Sequence, residues 1–187
     1  MKDREHPLNW KITASSYAID TPYLRLRKDS IDLPNGVHVP DYYVRESRGF
    51  AVIFARTPDG RIILVRQYKH GIGRVVLELP AGALDADETP LDCAERELAE
   101  ETGYVGKNAR LVASFIAEPT NSTAVLHLCV VDDALPEREQ SLDPTESIAV
   151  ELVTPAQALA LVRGGEITPI AQIACIYYML DQLGGLR

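Results

Sequence analysis

The chain has 187 residues, of which 46% are hydrophobic and 25% charged. A chain of this length can bury a single core without disulfide or metal staples, so a disordered chain and a stapled miniprotein are both excluded. Its 27 acidic and 19 basic side chains give a net charge of −8, which excludes nucleic-acid binding through bulk charge and means that a phosphate-bearing ligand needs local cations or a metal.

The charged start, Met-Lys-Asp-Arg-Glu-His, has no apolar stretch of signal-peptide type. The longest apolar run, Ile170–Leu180, is broken by Gln172 and falls short of the ~20 residues a membrane span needs. Cys93, Cys129 and Cys175 lie far apart and form no Cys-x-x-Cys pair, which suits a reducing compartment and buried, unpaired thiols. These features predict a soluble cytoplasmic protein that binds neither membrane nor nucleic acid.

Three β-rich runs come first, at Trp10–Ile19, Tyr23–Asp32 and Val37–Glu46, separated by Thr21-Pro22 and Leu33-Pro34-Asn35-Gly36. Phe50–Arg56 and Arg61–Tyr68 flank Pro58-Asp59-Gly60 and predict a hairpin. Leu77-Glu78-Leu79 is a short strand running into Pro80-Ala81-Gly82. Thr89 suits an N-cap, Pro90 the first helical position and Gly103 the residue after the last turn, so a helix is predicted to Thr102. Strands follow at Ala109–Ala117, Ala124–Asp132 and Ile148–Val153, then helices at about 155–163 and 169–183. No repeat or low-complexity linker interrupts the chain. Mixed strands with few helices predict an α+β fold, with a mixed sheet between helices.

The stretch from Gly82 to Tyr104 carries Asp85, Asp87, Glu88, Asp92, Glu95, Glu97, Glu100 and Glu101. A solvated acidic face is the ordinary fate of such a run. At 100° per residue from Leu91, however, Ala94, Leu98 and Thr102 form the core stripe at about 300°, 340° and 20°, and Glu97 and Glu101 fall beside it at about 240° and 280°. Glu100 is at about 180°, and Arg96, at about 140°, is expected to serve Glu100 better than the other two. Like charges one turn apart, next to a core, repel. A divalent cation such as Mg²⁺ or Mn²⁺ would resolve the conflict, since hard carboxylate oxygens suit it.

These residues resemble the Nudix family. Gly82 is followed by five residues and Glu88, then by seven residues and Arg96-Glu97-Leu98-Ala99-Glu100-Glu101-Thr102-Gly103-Tyr104. Every fixed position of the family signature is met, and Tyr104 alone replaces a bulky aliphatic residue. Val65-Arg66-Gln67-Tyr68-Lys69, Leu77–Gly82, the β-rich beginning and Pro119, sixteen residues beyond Gly103, resemble the ADP-ribose pyrophosphatase branch. Lys69 stands where that branch often has arginine.

The resemblance implies a Nudix-type α/β/α sandwich over residues 49–187 and a dimer-forming β-strand extension over 1–48. It implies Mg²⁺-dependent (or Mn²⁺-dependent) hydrolysis of a nucleoside diphosphate sugar, first ADP-ribose, with GDP- or UDP-hexoses as the alternative. Two or more ions roughly 3.5–4 Å apart would polarise the phosphate and activate water. Glu97 and Glu101 are the implied metal ligands, with Glu100 a third and the Ala81 carbonyl a fourth. Arg96 is implied to orient a glutamate. Glu146, just before the strand at 148–153, is the implied general base, with Asp143 as the fallback. Arg66, Lys69, His70 and Arg74 form the densest basic neighbourhood, so they are either diphosphate contacts or solvated charges. Glu78 is either a site carboxylate or half of a buried ion pair, Pro119 marks the substrate loop, and His127 is expected to be a satisfied core or cleft histidine. A homodimer is implied, because in this branch the first strands pair with a second copy. A non-catalytic nucleotide-sugar sensor would want a degenerate box and a DNA-binding segment, and neither is present.

Overall fold

The computed structural model describes residues 6–184. The start of the charged N-terminus (residues 1–5) and the last three positions of the expected catalytic domain (185–187) lie outside them. The chain groups into two compact units: one holds the chain up to Arg48 together with Ile116–Ala124, the other Gly49–Phe115 and the chain from Val125.

In the first unit β1 (Lys11–Asp20), β2 (Arg25–Asp32) and β3 (His38–Glu46) form an antiparallel meander. Asp29 is buried and sits between the Ser15 hydroxyl and the Arg27 guanidinium, and Arg27 also reaches Glu46 at 2.7 Å. Trp10 packs edge-on against Tyr42, whose hydroxyl donates to the Thr120 carbonyl. Arg45 and Thr123 tie the 116–124 segment to the end of β3 through backbone bonds. Every residue of β1 is exposed.

The second unit contains β4 (Phe50–Ala55), β5 (Ile62–Lys69), β6 (Arg74–Glu78), β7 (Ala81–Ala83), α1 (Pro90–Thr102), all but the last residue of β8 (Tyr104–Ile116), β9 (Val125–Pro136), β10 (Ile148–Val153), α2 (Pro155–Arg163) and α3 (Ile170–Gln182). One sheet runs β7-β4-β9-β8, with β4 parallel to β9 and antiparallel to β7; the other runs β10-β5-β6, all antiparallel. This is the expected α+β arrangement of mixed sheet and helices. Val52 and Phe54 of β4 join the core that packs on α2 and α3, whereas Ala51, Ile53 and Ala55 join the core under α1. A strand covered on both faces is apolar throughout, and Ala51–Ala55 is fully buried.

The expected hairpin of Phe50–Arg56 with Arg61–Tyr68 does not form. Its turn is present: the Gly60 N–H donates to the Thr57 carbonyl, and Gly60 takes φ +81°. The two strands, however, share only the Arg56–Ile62 bridge and then enter different sheets. Ala51–Ala55 and Ile62–Val65 are buried on both faces, and each finds better cover between other strands than beside its sequence neighbour. All three cysteines are free and buried. No helix among the described residues is long and apolar enough to cross a membrane.

Candidate active site

The site is built on α1 and the loop leading into it. The Thr89 hydroxyl accepts from the Asp92 N–H at 3.2 Å, Pro90 opens the helix, and Gly103 closes it with its N–H on Ala99. The buried residues of α1 are Cys93, Ala94, Leu98, Glu101 and Thr102. Cys93 lies at about 200° on the helical wheel, so the buried arc is wider than the predicted stripe and takes in the Glu97 and Glu101 directions. These two acids sit inside that arc, not beside it. Glu101 retains only 3% exposure.

Gly82 makes room for Glu97. A Cβ at Gly82 would lie 1.8 Å from Glu97 Oε1, so only glycine lets the carboxylate lie against the loop backbone. Burial pushes the Glu97 carboxyl above its usual range, against the pull of Arg96.

Arg96 does more than pair with Glu100. Its guanidinium contacts Glu88 at 2.8 Å, Glu97 at 2.7 Å, Glu100 at 3.0 Å and the Ala83 carbonyl at 3.2 Å. The forked donors of arginine suit several carboxylates at once. The Arg96 hydrogen bond holds Glu88 down to about 2, and the Glu88 carboxylate in turn accepts from the Asp85 N–H.

Glu101 lies outside this grip. Its Oε2 accepts from the Ala81 N–H at 3.1 Å, and its Oε1 takes a longer bond of 3.4 Å from Gln67. Burial pushes it up to about 8; the charges of Glu97 and Glu146 add to the rise, and Lys69 opposes it. An acid this buried, with neutral donors only, has an unmet need for positive charge.

The other predicted residues fall into two groups. Lys69 points to the site side of β5, with Nζ 2.9 Å from the buried Glu78 carboxylate, which also receives the Gln67 amide at 2.9 Å. Glu146 is exposed, accepts from the Asp143 N–H at 3.1 Å, and lies near enough for its charge to act on Glu97 and Glu101. Arg66 is not brought to the cluster. Strand alternation turns it to the opposite face of β5 from Gln67, where it pairs with Glu151 of β10. Pro119 is exposed and belongs to the first unit. Of the other basic residues near Lys69, Arg74 bonds the Thr168 hydroxyl at 3.0 Å. His127 is half-buried on β9 with Nδ1 2.9 Å from the Ser114 hydroxyl, a satisfied histidine as expected.

Three glutamines went unflagged by the sequence. Besides Gln67, Gln140 donates to the backbone carbonyls of Glu101 and Ile148, and Gln172 accepts from the Leu79 N–H. Neutral amides carry no charge pattern, so only the period-two spacing of Gln67 and Lys69 hinted at a shared face.

The donor set fits a divalent cation. The buried Glu101 and the half-buried Glu97 stand one turn apart on one helix, Gly82 leaves space beside Glu97, and every nearby oxygen donor is hard. Among the described residues no three His, Cys, Asp or Glu side chains already converge on one point; Arg96 and the Ala81 N–H hold the carboxylates instead.

The NUDIX domain model matches residues 46–171. The chain belongs to the Nudix family. The model of the nucleoside diphosphate sugar hydrolase N-terminal domain matches residues 10–44. Among curated relatives, this Nudix chain is 31% identical to an ADP-ribose pyrophosphatase of Bacillus subtilis (strain 168) over 173 residues, covering 92% of this chain and 93% of that one. It is also 31% identical to a methanol dehydrogenase activator of Bacillus methanolicus over 157 residues, covering 83% and 84% of the two chains. A solved structure described as an ADP compounds hydrolase matches with a TM-score of 0.83 at 18% identity, over 98% of this chain and 100% of that one, and shares the fold.

Proposed function

We propose that this Nudix chain hydrolyses the diphosphate bond of a nucleoside diphosphate sugar, with ADP-ribose as the substrate and AMP and ribose 5-phosphate as the products. The observation that carries this reading is the pair Glu97 and Glu101 on one helix face, Glu97 half-buried against Gly82 and Glu101 buried, with no cation bonded to Glu101 among the described residues. The near full-length similarity to an ADP-ribose pyrophosphatase supports the choice of sugar nucleotide.

Glu97, Glu101 and Glu100, with the Ala81 carbonyl, would hold Mg²⁺ or Mn²⁺. When bound, such an ion supplies Lewis-acid polarisation of the diphosphate and a more acidic water. Arg96 keeps Glu97 and Glu100 aimed. Lys69, 43% exposed at its side chain, exchanges its pairing with Glu78 for a phosphate oxygen. Glu146 would accept the proton of the attacking water, its carboxylate becoming the neutral acid. Little covalent work falls to the protein beyond alignment and charge stabilisation. Pro119 shapes the substrate loop.

Residues 1–48 form the dimerising extension and 49–187 the catalytic domain, in a cytoplasmic homodimer. The wholly exposed ten-residue edge strand β1 supports the dimer, because a long open edge invites pairing. Sedimentation showing only monomer at micromolar concentration would refute it.

The N-terminal domain model is described by nucleoside diphosphate sugars in general, and this favours GDP- or UDP-hexoses as the second reading. Product analysis across a nucleotide-sugar panel with Mg²⁺ decides between the two. AMP and ribose 5-phosphate formed fastest supports the first. No turnover of any nucleotide sugar, with Mg²⁺ or Mn²⁺, overturns both.

A further inference from the structure

Gln67 is a neutral residue in the middle of a charged cluster. It lies on β5, is 7% exposed, and shares its face with Lys69. A carboxamide nitrogen has two N–H donors. Here Nε2 is 2.9 Å from Glu78 Oε1 and 3.4 Å from Glu101 Oε1. The other Glu101 oxygen is held by the Ala81 N–H at 3.1 Å. Both oxygens of Glu101 are therefore oriented, each by an uncharged donor.

The contrast with Glu97 is informative. Glu97 is held by a guanidinium, which orients it but also meets its charge. An amide orients a carboxylate and leaves nearly all of its charge available. The same amide also separates two buried acids: Glu78 finds its positive charge in Lys69 at 2.9 Å, whereas among the described residues Glu101 has neutral donors only. Without the amide, Glu78 and Glu101 would face one another in a water-poor space, where like charges repel strongly. The Glu101 side chain would turn away from the loop.

We infer that Gln67 is a positioning residue for Glu101: it sets the rotation of that carboxylate and keeps its charge free for a divalent cation. This rests on reading Glu101 as a metal ligand. Outer-shell partners of this kind orient ligands in metal sites, and losing one weakens metal affinity by roughly 10–100-fold.

The test measures Mn²⁺ binding to the full-length, chelator-treated protein by calorimetry and by the electron paramagnetic resonance signal of free Mn²⁺. Gln67→Met keeps the length and removes both donors. It should weaken Mn²⁺ binding roughly tenfold or more. In a Glu101→Gln background the same substitution should change the residual affinity less than twofold, because the carboxylate through which it acts is gone. A purely structural role would weaken binding equally in both backgrounds, and that result overturns the inference. So does Gln67→Met binding Mn²⁺ within twofold of wild type while Glu101→Gln binds it poorly. If Gln67→Met fails to fold, Gln67→Asn carries the same test, since an amide one methylene shorter withdraws from a bond already at 3.4 Å. If the wild type takes up no Mn²⁺ at all, the metal-ligand reading of Glu101 fails, a different outcome from failure of the role of Gln67 alone.

Discussion

Arg27 and Arg96 each gather acids, and their surroundings differ in one respect. Arg27, in the N-terminal sheet, holds Asp29 and Glu46, and the buried Asp29 also receives the Ser15 hydroxyl. Burial works against the Asp29 charge, yet the Arg27 and Ser15 bonds win, and its carboxyl sits below its usual range. Arg96, on the box helix, holds Glu88, Glu97 and Glu100 but does not reach Glu101. Burial wins there, and Glu101 is pushed up to about 8. In the first cluster Arg25 also reaches Glu46, at 3.4 Å, so two arginines meet two acids and the cluster serves the fold. In the second, a single arginine meets three glutamates and Glu101 is bonded only to neutral donors, so the excess of negative charge is what a divalent cation would offset.

The comparison breaks most sharply at Glu101. Glu101→Gln should lower kcat by more than the roughly 10–100-fold that loss of an outer-shell partner costs, and the thermal midpoint should hold or rise, because a buried carboxylate without a cation is removed. Steady-state kinetics with ADP-ribose and Mg²⁺, together with a thermal melt, check both. Full activity would refute the role given to this residue.

Asp29→Ala should show the opposite signature. Unfolding stability should fall by about 1.5–3 kcal/mol, the worth of hydrogen bonds to a charged group, as read from urea midpoints.

A smaller effect separates the two faces of β5. Lys69→Ala should raise KM about tenfold through loss of one charged contact, within the range of such bonds. Arg66→Ala should change it little, because Arg66 is committed to Glu151 on the other face. Equal effects would mean that Arg66 leaves Glu151 when substrate arrives.

A further effect is pH-linked. The Glu88 carboxyl is lowered from 4.5 to about 2 in the folded chain. Its contribution is therefore fully present above about pH 4.5 and is lost as the pH falls toward 2. Glu88→Gln should flatten the loss of stability across that window, as followed by urea midpoints between pH 5 and pH 2.

Much of the fold can be read along the chain because its signals are local. Thr89, Pro90 and Gly103 mark the ends of α1, and the β10 and α2 boundaries stand where turn and cap residues put them. The failed hairpin shows the limit of such reading. Pro58-Asp59-Gly60 does make a turn, but turn chemistry acts over a few residues, and whether the flanking strands pair depends on what else is available to cover them. The narrow stripe predicted for α1 fails for a related reason: Cys93 is buried because strands distant in sequence lie over it, which a wheel of one helix does not contain.

The sequence by itself determined the spacing of the box, the helix that carries it and the excess of acid on one side of that helix, since all three are periodic properties of a short segment. The tertiary structure alone decided which acid stays uncompensated. Gln67 is 34 positions before Glu101 and Gln140 is 39 after it, so their donors reach that residue only once the sheets have formed. The charge state of a buried group is set by its neighbours in space, and those become neighbours only through folding.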